Sequence, residues 1–161
     1  MIELRCLGPV HLTVNGEDPP PALLWRKNLG LLVYLACSPR GRSRDHLVGL
    51  LWSDKDDAKA RHSLNEALRV LRHALGEALE TEGAMVRLKP GAVKTDLGHP
   101  KGQSAPFLED MTIADAPEFE RWAEGRRGYF AGAFVQALLR LAAAASGAGD
   151  SMAAVEHLRR A

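Results

Sequence analysis

From Ala58 to Leu79 the residues Leu64, Ala67, Leu68, Leu71, Leu75 and Ala78 recur at spacings of three and four. That period puts them on one stripe of a single long helix, and the stripe must be buried against something. The flanking segments narrow what that can be. Upstream, Ser43 is a good N-cap for a short helix reaching about Trp52, with Asp45 in its first turn and Leu47, Leu50 and Leu51 as its buried face. The polar run Ser53-Asp54-Lys55-Asp56-Asp57 joins the two helices and is rich in capping residues. Downstream, Gly83 is a break. Met85-Val86-Arg87-Leu88 and Val93-Lys94-Thr95-Asp96 then read as two strands of a hairpin around Lys89-Pro90-Gly91-Ala92. Short helix, polar turn, long helix and hairpin is the order of a winged helix-turn-helix.

The remaining segments fit that frame. Ile2–Leu7 and Val10–Val14 alternate as strands, and Asn15-Gly16 is a strong hairpin-turn dipeptide. Leu23 to Cys37 reads as a further helix, slightly weakened by Gly30. The predicted class is therefore α+β, with a winged helix-turn-helix at 1–97 made of short strands, three helices and a C-terminal wing at 85–96. Residues 98–106, GHPKGQSAP, have linker composition. An all-α, helical-repeat (TPR-like) segment is expected over 107–161, with one helix from Pro117 through Ala145 and a last one capped by Asp150 or Ser151. Phe119, Trp122, Tyr129, Phe130 and Phe134 are too many aromatics for one helical hairpin to cover. They are expected to dock on the winged helix or to drive dimer formation, and the chain is expected to continue past residue 161. Removing 105–161 is expected to leave a folded domain.

Function classes fall away quickly. The chain is 46% apolar and 25% charged, which is the balance of a globular domain. It contains no run of about 18 apolar residues, so no membrane span is expected. The start, MIELRCLGPV, lacks the basic region and apolar run of a signal peptide. The expected address is the cytoplasm, with Cys6 and Cys37 as reduced core residues. None of the six histidines stands in HExxH or near a cysteine at zinc spacing, and no phosphate-cradling or nucleophile-elbow motif occurs. No enzyme activity, metal or cofactor is expected.

What remains is a set of side chains suited to DNA. Opposite the apolar stripe the long helix holds His62, Asn65, Glu66, Arg69 and His73, with Arg61 and Arg72 on the flank and Ser63 near its start. Arg and Asn are the side chains that bind guanine and adenine edges bidentately in the major groove. Arg44 sits at the N-terminus of the preceding helix, an end that attracts phosphate. Arg87, Lys89 and Lys94 make the predicted wing cationic, with Lys89 at its tip. Trp52 is read as a core plug and Trp122 as packing in the second segment. Charge argues the other way: residues 1–97 hold 14 Lys/Arg against 12 Asp/Glu, and residues 98–161 hold 7 against 8. Any DNA contact must come from local clusters.

Taken together, Leu31-Leu32-Val33-Tyr34-Leu35-Ala36, Ser43-Arg44-Asp45-His46-Leu47, Leu50-Leu51-Trp52, Ala60-Arg61-His62-Ser63-Leu64 and Leu68-Arg69-Val70-Leu71-Arg72-His73-Ala74-Leu75-Gly76 resemble the SARP/AfsR-like bacterial regulators. Phe107-Leu108-Glu109-Asp110 and Ala116-Pro117-Glu118-Phe119-Glu120-Arg121-Trp122 resemble the entry to that family's bacterial transcriptional activator domain. The resemblance implies an OmpR-type winged helix that binds double-stranded DNA and regulates transcription. It also implies a helical activator domain that contacts RNA polymerase or pairs protomers as a homodimer on paired half-sites. The pattern differs at three places. Val70-Leu71-Arg72 stands where OmpR-type helices often carry Arg-Leu-Arg, which leaves Arg69 to serve as a base contact. The segment between Asp96 and Phe107 is short, as if a helix before the activator domain were missing, and the activator domain covers roughly one repeat. A competing reading is a protein-interaction module of a larger signalling protein that no longer binds DNA. The near-neutral charge and Glu66 on the polar face favour it.

Overall fold

The computed structural model describes residues 1–98 and 105–160. Strands β1 (Ile2–Arg5) and β2 (His11–Val14) pair antiparallel, Leu4 opposite Leu12. The turn beyond β2 holds Asn15 and Gly16 at φ +56° and +83°, as the dipeptide requires. Helix α1 (Arg26–Ala36) starts later than its apolar pattern implied. Pro21–Leu24 forms a 3-10 turn and Trp25 is extended. Strand β3 (Arg42–Ser43) leads directly into α2 (Arg44–Leu51), where Ser43 Oγ accepts the His46 N–H at 3.2 Å as the cap. Helix α3 (Asp57–Leu75) is capped in the same way by Asp56, which accepts the Lys59 N–H at 3.0 Å. Leu64, Ala67, Leu68, Leu71 and Leu75 of the expected stripe are buried, joined by Ala60, while Ala78 lies beyond the helix in a 3-10 turn and is half-buried. Trp52 is buried beneath the α2–α3 turn.

The wing is built from different strands than those predicted. Gly76, at φ +57°, ends α3 four residues before the expected limit at Leu79. Leu79 then opens strand β4 (Leu79–Glu82), which pairs antiparallel with β5 (Met85–Leu88) through the two-residue turn Gly83-Ala84. Leu79, Val86 and Leu88 face the core, so burial fixes this register. Strand β6 (Val93–Thr95) pairs instead with β1, in parallel, Glu3 opposite Lys94. Asp96 locks that arrangement by accepting the N–H groups of Cys6 and Leu7 at 2.8 and 3.0 Å. The hairpin is therefore 79–88 rather than 85–96. Lys89 and Pro90 belong to the turn that joins two three-stranded sheets, β2-β1-β6 and β3-β5-β4.

The core does not stop where the linker composition placed a boundary. Residues 99–104, most of that linker, lie outside the described residues. Beyond them, Phe107, Leu108, Ile113, Ala116, Phe119 and Ala123 belong to the same buried cluster as Leu4, Leu31, Leu35, Leu47 and Leu64. The segment runs beside the end of the first strand, with Gly8 N–H donating to Pro106 O at 2.9 Å and Leu108 N–H to Cys6 O at 2.8 Å. Arg127 donates to the carbonyl of Phe107 at 3.0 Å and holds the segment against helix α4 (Pro117–Gly147). Gly30 has a packing role rather than being a simple weakness: a Cβ there would lie 2.7 Å from Ile113 and 3.3 Å from Phe119.

Three of the five aromatics, Phe119, Trp122 and Phe130, dock on the winged helix. Trp122 lies edge-on to Tyr34 of α1 at 4.7 Å and touches Phe107 and Phe119, while Phe130 packs on Phe107. Phe134 is buried further along α4, and Tyr129 stays exposed. The C-terminal half of α4 packs against α5 (Ser151–Arg160), capped by Asp150, with Leu138, Ala142 and Ala154 buried. By length and composition alone α4 meets the rule for a membrane crossing, which the sequence reading did not anticipate. Its N-terminal half is part of the protein core.

Cys6 is buried, Cys37 half-buried, and both are free thiols. Burial raises both thiol pKa values, that of Cys37 to about 11, so neither is a thiolate near neutral pH.

Candidate nucleic-acid interface

The exposed face of α3 emerges between two supports. On one side stand the N-terminus of α2 and the β4–β5 hairpin. Arg44 N–H donates to Ala84 O at 2.8 Å, fastening the start of α2 to the hairpin turn. The Arg44 guanidinium donates to Asn65 Oδ1 at 2.8 Å, and Arg72 donates to Thr81 Oγ1 at 3.2 Å. On the other side the turn before α3 contributes Lys55, which donates to Ser63 Oγ at 2.8 Å. A groove of about 510 Å³ follows there, walled by Trp25, Trp52, Ser63 and Val70. Trp25 is 68% exposed in it.

The structure thus brings together Arg44, Arg61, His62, Ser63, Asn65, Glu66, Arg69, Arg72 and His73. Arg87 lies on the adjoining hairpin and pairs with Glu80 across it at 2.7 Å. Two predicted residues stand elsewhere. Lys89 is not at a hairpin tip. Its N–H donates to Ala78 O, and its ammonium lies 3.6 Å from Glu77 at the hairpin base. Lys94 belongs to the other sheet and faces Glu3 at 3.4 Å. Arg42 turns inward, its Nε donating to Tyr34 Oη at 3.2 Å. Lys55 and Thr81 were missed. Only the position of Lys55 in the polar run before the helix could have signalled it, and Thr81 lay in the unassigned stretch between the expected helix end at Leu79 and the break at Gly83.

Every strong cation on this face has a local partner. Arg61 pairs with Asp45 at 2.8 Å and Asp57 at 2.9 Å. Arg69 pairs with Glu66 at 2.9 Å. Hydrogen bonding from Arg69 holds the Glu66 carboxyl below its usual range, and the carboxylate in turn raises Arg69. The Arg61 pairs are solvent-exposed, where screening keeps them weak and exchangeable, so Arg61 can turn to a stronger polyanion without disturbing the core. Arg69 differs in giving two hydrogen bonds to one carboxylate oxygen of Glu66.

No protein-family model matches the sequence, and comparison with curated proteins gives no match. Among solved structures the chain is similar to EmbR of Mycobacterium tuberculosis, determined in complex with a low-affinity phosphopeptide, at 21% identity and a TM-score of 0.64. The match covers 91% of this chain and 47% of EmbR, so the chain spans about half the length of that protein. What the likeness shows is the fold: an α+β, winged-helix N-terminus followed by a helical segment, as expected from the sequence.

Proposed function

We propose that this chain is a sequence-specific DNA-binding transcriptional regulator of the SARP/AfsR-like kind, acting in the cytoplasm as an activator. Helix α3 enters the major groove, and the β4–β5 hairpin lies against the adjacent backbone or minor groove. The observation that carries this reading is the gathering of Arg44, Asn65, Arg69 and Arg72 on one surface of α3, beside the joined α2 N-terminus and β4–β5 hairpin. The fold it shares with EmbR supports the same reading. The helical segment contacts RNA polymerase or pairs two protomers on adjacent half-sites. Arg69→Ala is expected to weaken specific binding by about 1–3 kcal/mol and to relax preference at one base pair. Anisotropy titrations against a selected duplex and a scrambled one measure both, and an unchanged affinity and preference would remove Arg69 from the interface.

The competing reading, an interaction module that no longer binds DNA, draws on one finding: Arg61, Arg69 and Arg87 are paired with acids of the same chain. The two readings differ in whether duplex DNA binds with a dependence on salt.

A further inference from the structure

The feature that counted against DNA binding in the sequence, an acid at the centre of the reading face, has a specific geometry. Arg69 gives Glu66 Oε2 two hydrogen bonds, from Nε at 3.1 Å and from Nη2 at 2.9 Å. One edge of the guanidinium is thereby occupied, and the other edge, Nη1 with the outer proton of Nη2, is left presented. Guanine offers two acceptors in the major groove, O6 and N7, spaced to receive such a fork. The two residues are three apart on one helix face and both well exposed, so nothing in the core competes for them.

We infer that Glu66 is a positioning residue for Arg69, and that the pair acts as one unit selecting duplexes with guanine at a single position. This rests on the DNA-binding reading above. Holding the guanidinium in one orientation reduces the rotamer freedom lost on binding. The same carboxylate stands near the phosphates of any bound duplex. It opposes binding wherever guanine does not engage the fork, because there the repulsion has no compensating contact. Glu66 therefore lowers affinity for DNA in general and raises discrimination.

The test uses the 161-residue chain and a pool of duplexes randomised under α3. The variants are Glu66→Gln, Arg69→Ala, the double variant, and Glu118→Gln as a remote change of equal charge. The wild type is expected to select guanine at one position. Glu66→Gln should bind arbitrary duplexes several-fold more tightly while its preference for that guanine falls about tenfold. Arg69→Ala should lose preference at the same position, the double variant should be no worse than Arg69→Ala, and Glu118→Gln should select as the wild type does. Equal tightening of Glu66→Gln on all duplexes, with preference intact, would overturn the proposal by reducing Glu66 to a surface charge. So would loss of preference at a position different from that of Arg69→Ala. A wild type that binds no duplex even at low salt overturns the DNA-binding reading itself, and the proposal with it.

Discussion

Deletion of residues 105–161 is expected to leave a chain that does not unfold cooperatively, even though every element of the winged helix is retained. Phe107, Leu108, Ile113 and Phe119 are essentially fully buried, and they pack in one cluster with α1, α2 and the first strands. Removing them opens that core to water on the side where Gly30 lets α4 approach. The single-residue version is Phe119→Ala, expected to cost about 3–5 kcal/mol, the transfer term of a buried ring plus the cavity it leaves. Urea unfolding followed by near-UV and far-UV circular dichroism measures both. A truncated chain with a sharp transition at the wild-type midpoint would show that residues 1–97 fold alone, as the linker composition had implied.

The second large effect is expected at Gly41. Its φ is +73°, and a Cβ there would lie 2.7 Å from Val86 O and 2.8 Å from Arg87 Cβ. The left-handed backbone alone makes Gly41→Ala cost about 1–3 kcal/mol, and the clash with a strand carbonyl adds to it. The pairing of β3 with β5 is what suffers, Arg42 opposite Val86, and that pairing delivers Ser43 and Arg44 to the start of α2. DNA affinity should therefore fall along with stability. Gly49→Ala is the contrast: it sits within α2 with open space around its Cα and is expected to be neutral or to stabilise by up to about 1 kcal/mol. Equal thermal shifts for the two variants would contradict the close approach at Gly41.

The parts of this fold that the sequence made legible are those settled by neighbours in the chain. The stripe from Leu64 to Leu75, the cap Ser43, the capping run before α3 and the turn at Asn15-Gly16 each depend on a few adjacent residues. The wing was legible as an element but not in its pairing. Ala78 continues the helical period, so nothing local announces a strand at Leu79, and Gly83 reads as a break as easily as a turn. The parallel pairing of Val93–Thr95 with Ile2–Leu4 spans about ninety residues, and a three-residue strand carries no record of its partner. The shared core was hidden for a related reason. Leu108 is fully buried at φ +53°, a conformation usually signalled by glycine, and Gly30 shows its purpose only once α4 is placed against it. In the interface, the residue types on α3 were readable from helical geometry. Their partners on α2 and the hairpin, such as Arg44 for Asn65 and Thr81 for Arg72, required the tertiary fold.

The central claim is that the α3 face meets the phosphates and bases of duplex DNA. Its most direct test is the affinity of the chain for a duplex pool as salt is varied from about 50 to 200 mM. Contacts from Arg44, Arg61, Arg72 and Arg87 should displace condensed counterions, giving log K a slope of roughly −3 to −4 against log salt. Arg44→Ala should make that slope shallower by roughly one. An affinity that ignores salt, or no binding at the lowest salt, would contradict the account and leave the face to a protein partner.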